Sequence, residues 1–244
     1  MQITCFPSLR SFNRWEAGQK LFTRTILANV AAAQAGLAMA VGSMLVEAVR
    51  TTLADPAVER SLKAYALTLP TLATIAEEMA VVDPEALAEA AQFTRQGLAL
   101  ALRSELGAAY AANTLPAEPF RADREAIGMR RLKNTCLGYL ASIEDGAVAA
   151  MCLAQAKGSA GCMADVLAAT ALLASCDGAA AAAAREEALD LFYERHARDN
   201  ALLFGKWLVI QVRGALFARV RVPSLARCLS NALASQWLPP PCRA

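Results

Sequence analysis

Helix punctuation recurs along this chain at intervals too short for one long rod, and nothing else in the sequence limits the fold as much. Asp55-Pro56 and Asp83-Pro84-Glu85 each join an N-cap acid to a first-turn proline. Leu69-Pro70 closes one segment and Thr71 can cap the next. Residues 113–122, with Pro116 and Pro119, form the clearest loop, after which Asp123 caps again. Asn13 can open a first helix as far as 34, with Glu16 three residues on as the return partner of a capping box. The pattern then predicts a helix over 37–53, a segment from 55 to 69, and helices over 71–79, 84–112, 123–142, 147–157, 163–174, 179–196 and 202–211. Brief turns between short helices imply an all-α chain of stacked antiparallel helix pairs, a superhelical, solenoid-like array. No strict period is present, so the residues alone name no repeat family.

Composition agrees with helices and excludes several functions. The chain is 56% hydrophobic yet only 6% aromatic, because alanine supplies much of the apolar count. Alanine favours helix and buries little area per residue, which suits close helix packing. Period-two runs of β-branched and aromatic residues are absent, which argues against a sheet. From Asn200 onward there is no acid, while Lys206, Arg213, Arg219, Arg221, Arg227 and Arg243 are basic. The rest of the chain has 18 basic and 22 acidic residues. A mildly acidic body with a basic end is not a nucleic-acid footprint.

Residues 25–46 are uncharged and long enough to span a bilayer. Asn29, Gln34 and Ser43 interrupt them, and Gly36 suits a loop between two helices, so a membrane span is disfavoured. The first 24 residues hold one acid, Glu16, and have some transit-peptide character. No secretory signal is visible. The seven cysteines (5, 136, 152, 162, 176, 228 and 242) lack zinc-knuckle or redox spacing. They read as buried thiols in a reducing compartment, cytoplasmic or inside an organelle.

Catalytic constellations are not found. His196 is the sole histidine, which rules out a two-histidine zinc site within the chain. Its surroundings, Tyr-Glu-Arg-His-Ala-Arg, read as a solvated charged helix face. Ser104, Ser142 and Ser175 lie in no Gly-x-Ser-x-Gly elbow, and Gly158-Ser159-Ala160-Gly161 reads as a helix connection rather than a phosphate loop. Glu77-Glu78 and Glu186-Glu187 point to different helix sides and read as surface charge.

Residues 12–19 are less generic. They read Phe-Asn-Arg-Trp-Glu-Ala-Gly-Gln, and further stretches follow in order. These are Leu67-Thr68-Leu69-Pro70, Val82-Asp83-Pro84-Glu85, and Glu105-Leu106 with Tyr110-Ala111-Ala112-Asn113. Next come Arg131-Leu132-Lys133-Asn134, inside a helix over 127–140, and Gly205-Lys206-Trp207 with Gln211. Collinear over 12–211, they resemble the helical C-terminal domain of bacterial-type aminopeptidase N, the alanyl aminopeptidase family. Two departures stand out: Gly205 replaces the family's usual Asp, and Cys162-Met163-Ala164-Asp165 stands where Asn-Met-Thr-Asp is usual. The second removes a local cap and should loosen that loop.

The resemblance implies a non-catalytic domain of a zinc aminopeptidase, a hydrolase that releases N-terminal residues from peptides. Such a domain caps the active-site chamber and restricts substrate access. Its partner is the catalytic domain of aminopeptidase N, in cis, with peptides involved only indirectly. Zinc belongs to that catalytic part, so no cofactor, metal ligand or catalytic residue is expected here. Candidates for the inter-domain surface are Arg14, Trp15, Glu16 and Gln19, a charged pair beside a large indole. Lys206 and Trp207 can serve the same surface or the core, and Trp15 can likewise pack within its own domain. Residues 1–211 read as an incomplete domain and 212–244 as a divergent basic tail, disordered or the result of truncation, alternative splicing or a faulty gene model. A standalone helical scaffold is the alternative function, and a membrane protein is a weaker one.

Overall fold

The computed structural model describes residues 7–116, 120–158, 162–176 and 178–217. Among the described residues the chain is helical throughout, with no strand. The helices are α1 (Pro7–Gln34), α2 (Ser43–Ala54), α3 (Arg60–Leu67), α4 (Leu72–Ala76), α5 (Pro84–Ala101), α6 (Arg103–Ala112), α7 (Arg124–Ala141), α8 (Gly146–Gly158), α9 (Met163–Ser175), α10 (Ala179–Phe192) and α11 (Ala201–Phe217). A π-helical turn, Tyr193–Ala197, follows α10.

Several punctuation marks act as read. Thr71, Asp83 and Asp123 each accept a hydrogen bond from the backbone N–H three residues on. Gly36, at φ +67°, ends α1 in the left-handed region that glycine tolerates. The uncharged stretch is therefore broken, and among the described residues no helix is long and apolar enough to cross a membrane.

Other expectations need correction. Asn13 is no cap: α1 already starts at Pro7, a first-turn proline, and Glu16 pairs with Lys20 one turn on (2.8 Å) instead of reaching back. The helix expected from 37 begins at Ser43, because residues 37–42 are held out of regular secondary structure. The Asn29 side chain holds them there, accepting from the Ala40 N–H (2.9 Å) and donating to the Thr94 hydroxyl (3.1 Å). Asp55 accepts from the Ala57 N–H and makes a turn, so the restarted helix opens only at Arg60. The long helix expected over 84–112 bends at Leu102 (φ −122°, ψ 23°), which lets Leu98, Leu102 and Leu106 all face the core.

Packing is mostly between near neighbours in the chain, as in a solenoid. α1 lies on α5 and α3, α7 on α3 and α6, α8 on α9 and α10, and α11 on α9. α7 joins the two halves, since it also meets α5, α8 and α9. Its approach to α3 is close at Gly128, where a Cβ would lie 3.3 Å from the Ser61 nitrogen. The main core runs through Phe22, Leu67, Leu102, Leu137 and Leu173, with a smaller cluster around Ile26 and Ile75. A third cluster at the far end joins Val166, Phe192, Ala197 and Trp207. Cys136 and Cys152 are buried in the main core, and burial pushes both thiols up to about 12, which makes them inert apolar filler at neutral pH.

Candidate functional site

α1 carries a buried stripe at Phe22, Ile26 and Val30. Trp15 sits two turns before Phe22 on the same side of the helix, yet its residue is 39% exposed. Phe12 is exposed beside it, with ring centroids 5.9 Å apart. The polar neighbours have partners within the domain. The Arg14 guanidinium donates to Asp55 (2.8 Å), and the Gln19 amide donates to the Thr68 carbonyl (2.9 Å). Asp55 is held below the usual carboxylate range, first by the Ala57 N–H and then by Arg14. What the start of α1 offers outward is thus an aromatic pair with a polar rim (Arg14, Glu16, Lys20), the composition of an interface anchor.

The two other candidates belong to α11, which packs on α9 and the π-helical turn. Lys206 is exposed. Trp207 is 3% exposed, and its indole N–H donates to the Leu189 carbonyl (3.1 Å). Tyr193 and Phe204 flank that indole at 5.1 and 5.8 Å between ring centroids. The structure therefore gathers Arg14, Trp15, Glu16 and Gln19 at one helix start and sets Trp207 in the core of another region.

His196 also differs from its sequence reading: it is half-buried, with its ring 5.6 Å from that of Phe192. The π-helical turn is the cause. The Arg198 N–H reaches back five residues to the Tyr193 carbonyl (2.9 Å), so Phe192 and Ala197 both face the core with His196 between them. No group of three or more His, Cys, Asp and Glu that could hold a metal occurs among the described residues. The described residues do not fit a zinc site.

One arrangement escaped the sequence reading. Three of the marked stretches converge on a buried polar network. The Lys133 ammonium meets Asp165 Oδ2 (2.5 Å), and the Asn134 amide donates to Asp165 Oδ1 (2.8 Å). Gln155 donates to Asn134 Oδ1 (2.9 Å) and to the Asp165 carbonyl (3.0 Å), and the Tyr110 hydroxyl donates to Gln155 (3.1 Å). Tyr110, Lys133-Asn134 and Asp165 lie in separate marked stretches, and no spacing along the chain links them. Marked stretches meet elsewhere as well: Tyr139, in the helix of Lys133, donates its hydroxyl to the Leu67 carbonyl (2.6 Å). The Cys162 side chain makes no cap bond at the start of α9, in line with the lost amide.

With the fold in hand, the relatives decide the family. The sequence profile described as "Domain of unknown function (DUF3458_C) ARM repeats" matches residues 10–221. The chain belongs to this ARM-repeat family. Aminopeptidase N of Escherichia coli (strain K12) is 34% identical over 203 residues, which cover 82% of this chain and 22% of that protein. Aminopeptidase N of Caulobacter vibrioides is 32% identical over 204 residues, covering 83% and 22%. The crystal structure of Legionella pneumophila aminopeptidase A in complex with aspartic acid superposes with a TM-score of 0.68 at 21% identity, over 82% of this chain and 23% of that one. That likeness speaks to the fold. The chain is thus a homologue of the helical C-terminal domain of aminopeptidase N, and it spans about a fifth of the length of the relatives it matches.

Proposed function

We propose that this ARM-repeat chain acts as the non-catalytic helical domain of a zinc aminopeptidase, in cis with the catalytic domain. There it would cap the active-site chamber and restrict access to small peptides. The zinc and the hydrolytic step would belong to the catalytic part. One observation carries the reading: 203 residues align with one part of aminopeptidase N. The aromatic pair at the start of α1 supports it, since Phe12 and Trp15 are exposed on the stripe that the domain's own helices otherwise cover.

The test mixes the purified chain with E. coli aminopeptidase N shortened by the matching region. Association is followed by light scattering, and hydrolysis of an alanyl anilide is compared with that of an alanyl decapeptide. The reading expects a complex in which decapeptide turnover falls relative to anilide turnover. No association, or equal effects on both substrates, overturns the capping role. Zinc-dependent hydrolysis by the chain alone overturns its non-catalytic character.

A further inference from the structure

A cavity bounded by α6, α7, α8 and α9 lies outside the inter-domain reading, and the structure assigns it as a binding site for a small organic carboxylate, anchored by Arg130. Its volume is about 350 Å³, within the range of pockets that hold small molecules. The floor is the buried network of Tyr110, Gln155, Lys133 and Asp165, all of which line the cavity. The Lys133 side chain is 4% exposed, and among the described residues Asp165 is its one hydrogen-bond acceptor. An ammonium group has three donors, so Lys133 has N–H groups left for the cavity.

The wall adds a cation without a counter-charge. Arg130 is half-buried, has no carboxylate partner among the described residues, and places its Cζ 5.0 Å from the centroid of the Phe120 ring. Of the nearby guanidinium groups, Arg121 pairs with Asp123 and Arg124 with Glu59, while Arg131 lies over the Tyr65 ring and does not line the cavity. The lining holds Arg121, Arg130 and Lys133 against one acid, Asp165, which Lys133 and Asn134 already engage. Charge in a partly enclosed space is costly unless it is paired. Water can complete the hydrogen bonds of Lys133 and solvate the half-buried Arg130, and a bound carboxylate would add the opposite charge that the cavity lacks.

A carboxylate matches the planar fork of arginine in two parallel hydrogen bonds. The Asp165 carboxylate on the floor opposes a second negative charge, which favours a monoanion over phosphate. Leu115, Pro116 and Phe120 offer apolar contact for the rest of such a ligand. Sites of this kind fix orientation with few polar groups and take affinity from apolar lining.

Calorimetric titration of the whole 244-residue chain with benzoate, benzamide and inorganic phosphate tests the assignment. Benzoate should bind saturably and about 10- to 100-fold more tightly than its neutral isostere benzamide, the span of one charge-assisted hydrogen-bond pair. Phosphate should bind more weakly than benzoate. Arg130→Gln should abolish the preference for benzoate over benzamide, whereas Arg24→Gln, on exposed α1 surface, should leave it unchanged. Equal affinity for benzoate and benzamide, tighter binding of phosphate, or no saturable benzoate binding overturns the site. An unchanged preference in a folded Arg130→Gln protein does the same. The three wild-type titrations decide the matter even if that variant does not fold.

Discussion

Trp15 and Trp207 come from two marked stretches of the sequence, and the fold treats them in opposite ways. One indole is 39% exposed at the start of α1; the other is 3% exposed between α9, α10 and the π-helical turn. Residue type does not separate them, since each stands beside a basic residue. What separates them is the supply of neighbours. Trp207 is met by Phe192, Tyr193 and Phe204, and by a carbonyl placed for its N–H. Trp15 continues a buried stripe to a point where, among the described residues, Phe12 is its one ring partner. A tryptophan in a family-like motif thus marks either a finished core or an unfinished surface, and only the packing tells which.

The largest effect expected from this contrast is on stability. Trp207→Ala should cost about 3–5 kcal/mol, through lost contact area, a cavity and the lost hydrogen bond to the Leu189 carbonyl. Trp15→Ala should cost less than about 1 kcal/mol. Urea melts of the two variants check this directly, and equal losses would erase the distinction.

Buried and exposed ion pairs repeat the contrast in charge. Removing one partner of Lys133–Asp165, whose side chains are 4% and 7% exposed, leaves an uncompensated buried ion, so Asp165→Ala should lose about 3–5 kcal/mol. Glu125→Ala, which breaks the exposed contacts to Arg60 and Arg121, should lose less than about 1 kcal/mol. The same urea melts apply, and a small loss for Asp165→Ala would show that the network is not what joins α7 to α9.

The exposed tryptophan should matter instead for association. In the mixing experiment with shortened aminopeptidase N, Trp15→Ala should weaken the complex about tenfold or more, as an interface anchor does. Trp207→Ala, assayed where it remains folded, should leave the affinity within about twofold, because its side chain never reaches the surface. Identical affinities for wild type and Trp15→Ala would place the docking surface elsewhere.

Much of the fold was legible because its signals are local. Asp83-Pro84 and Asp123 act through bonds within three residues, and Gly36 through its own backbone. What sequence reading missed depends on distant partners. Residues 37–42 carry no strong helix breaker apart from Gly42, and they stay out of the helix because Asn29 holds Ala40 while Thr94 holds Asn29. The bend at Leu102 and the π-helical turn are likewise set by which apolar residues must face the core. At the candidate site the residues of 14–19 were legible as a group, but not the commitment of Gln19 to Thr68 or of Arg14 to Asp55. The cavity at Arg130 was not legible at all. It needs four helices to meet, and no spacing along one chain segment encodes that.

The smallest expected effect is a pH dependence confined to the Trp207 end. His196, the chain's sole histidine, has its ring against Phe192, which shares a cluster with Trp207. Burial lowers its pKa below the usual value near 6.5, and the like charge of Arg195 lowers it further. A depressed base binds protons less readily in the folded chain than in the unfolded one. Its contribution to stability is therefore full above the unfolded value and is lost as pH falls through that value towards the folded one. At the Trp15 end the depressed group is the carboxylate of Asp55, and its loss begins only in the acid range below about pH 4. Between about pH 7 and pH 5 the melting temperature should thus fall slightly in the wild type and stay level in His196→Gln. An equal slope in both proteins would mean that this end of the array does not sense the protonation of its histidine, and the two ends would then differ in packing alone.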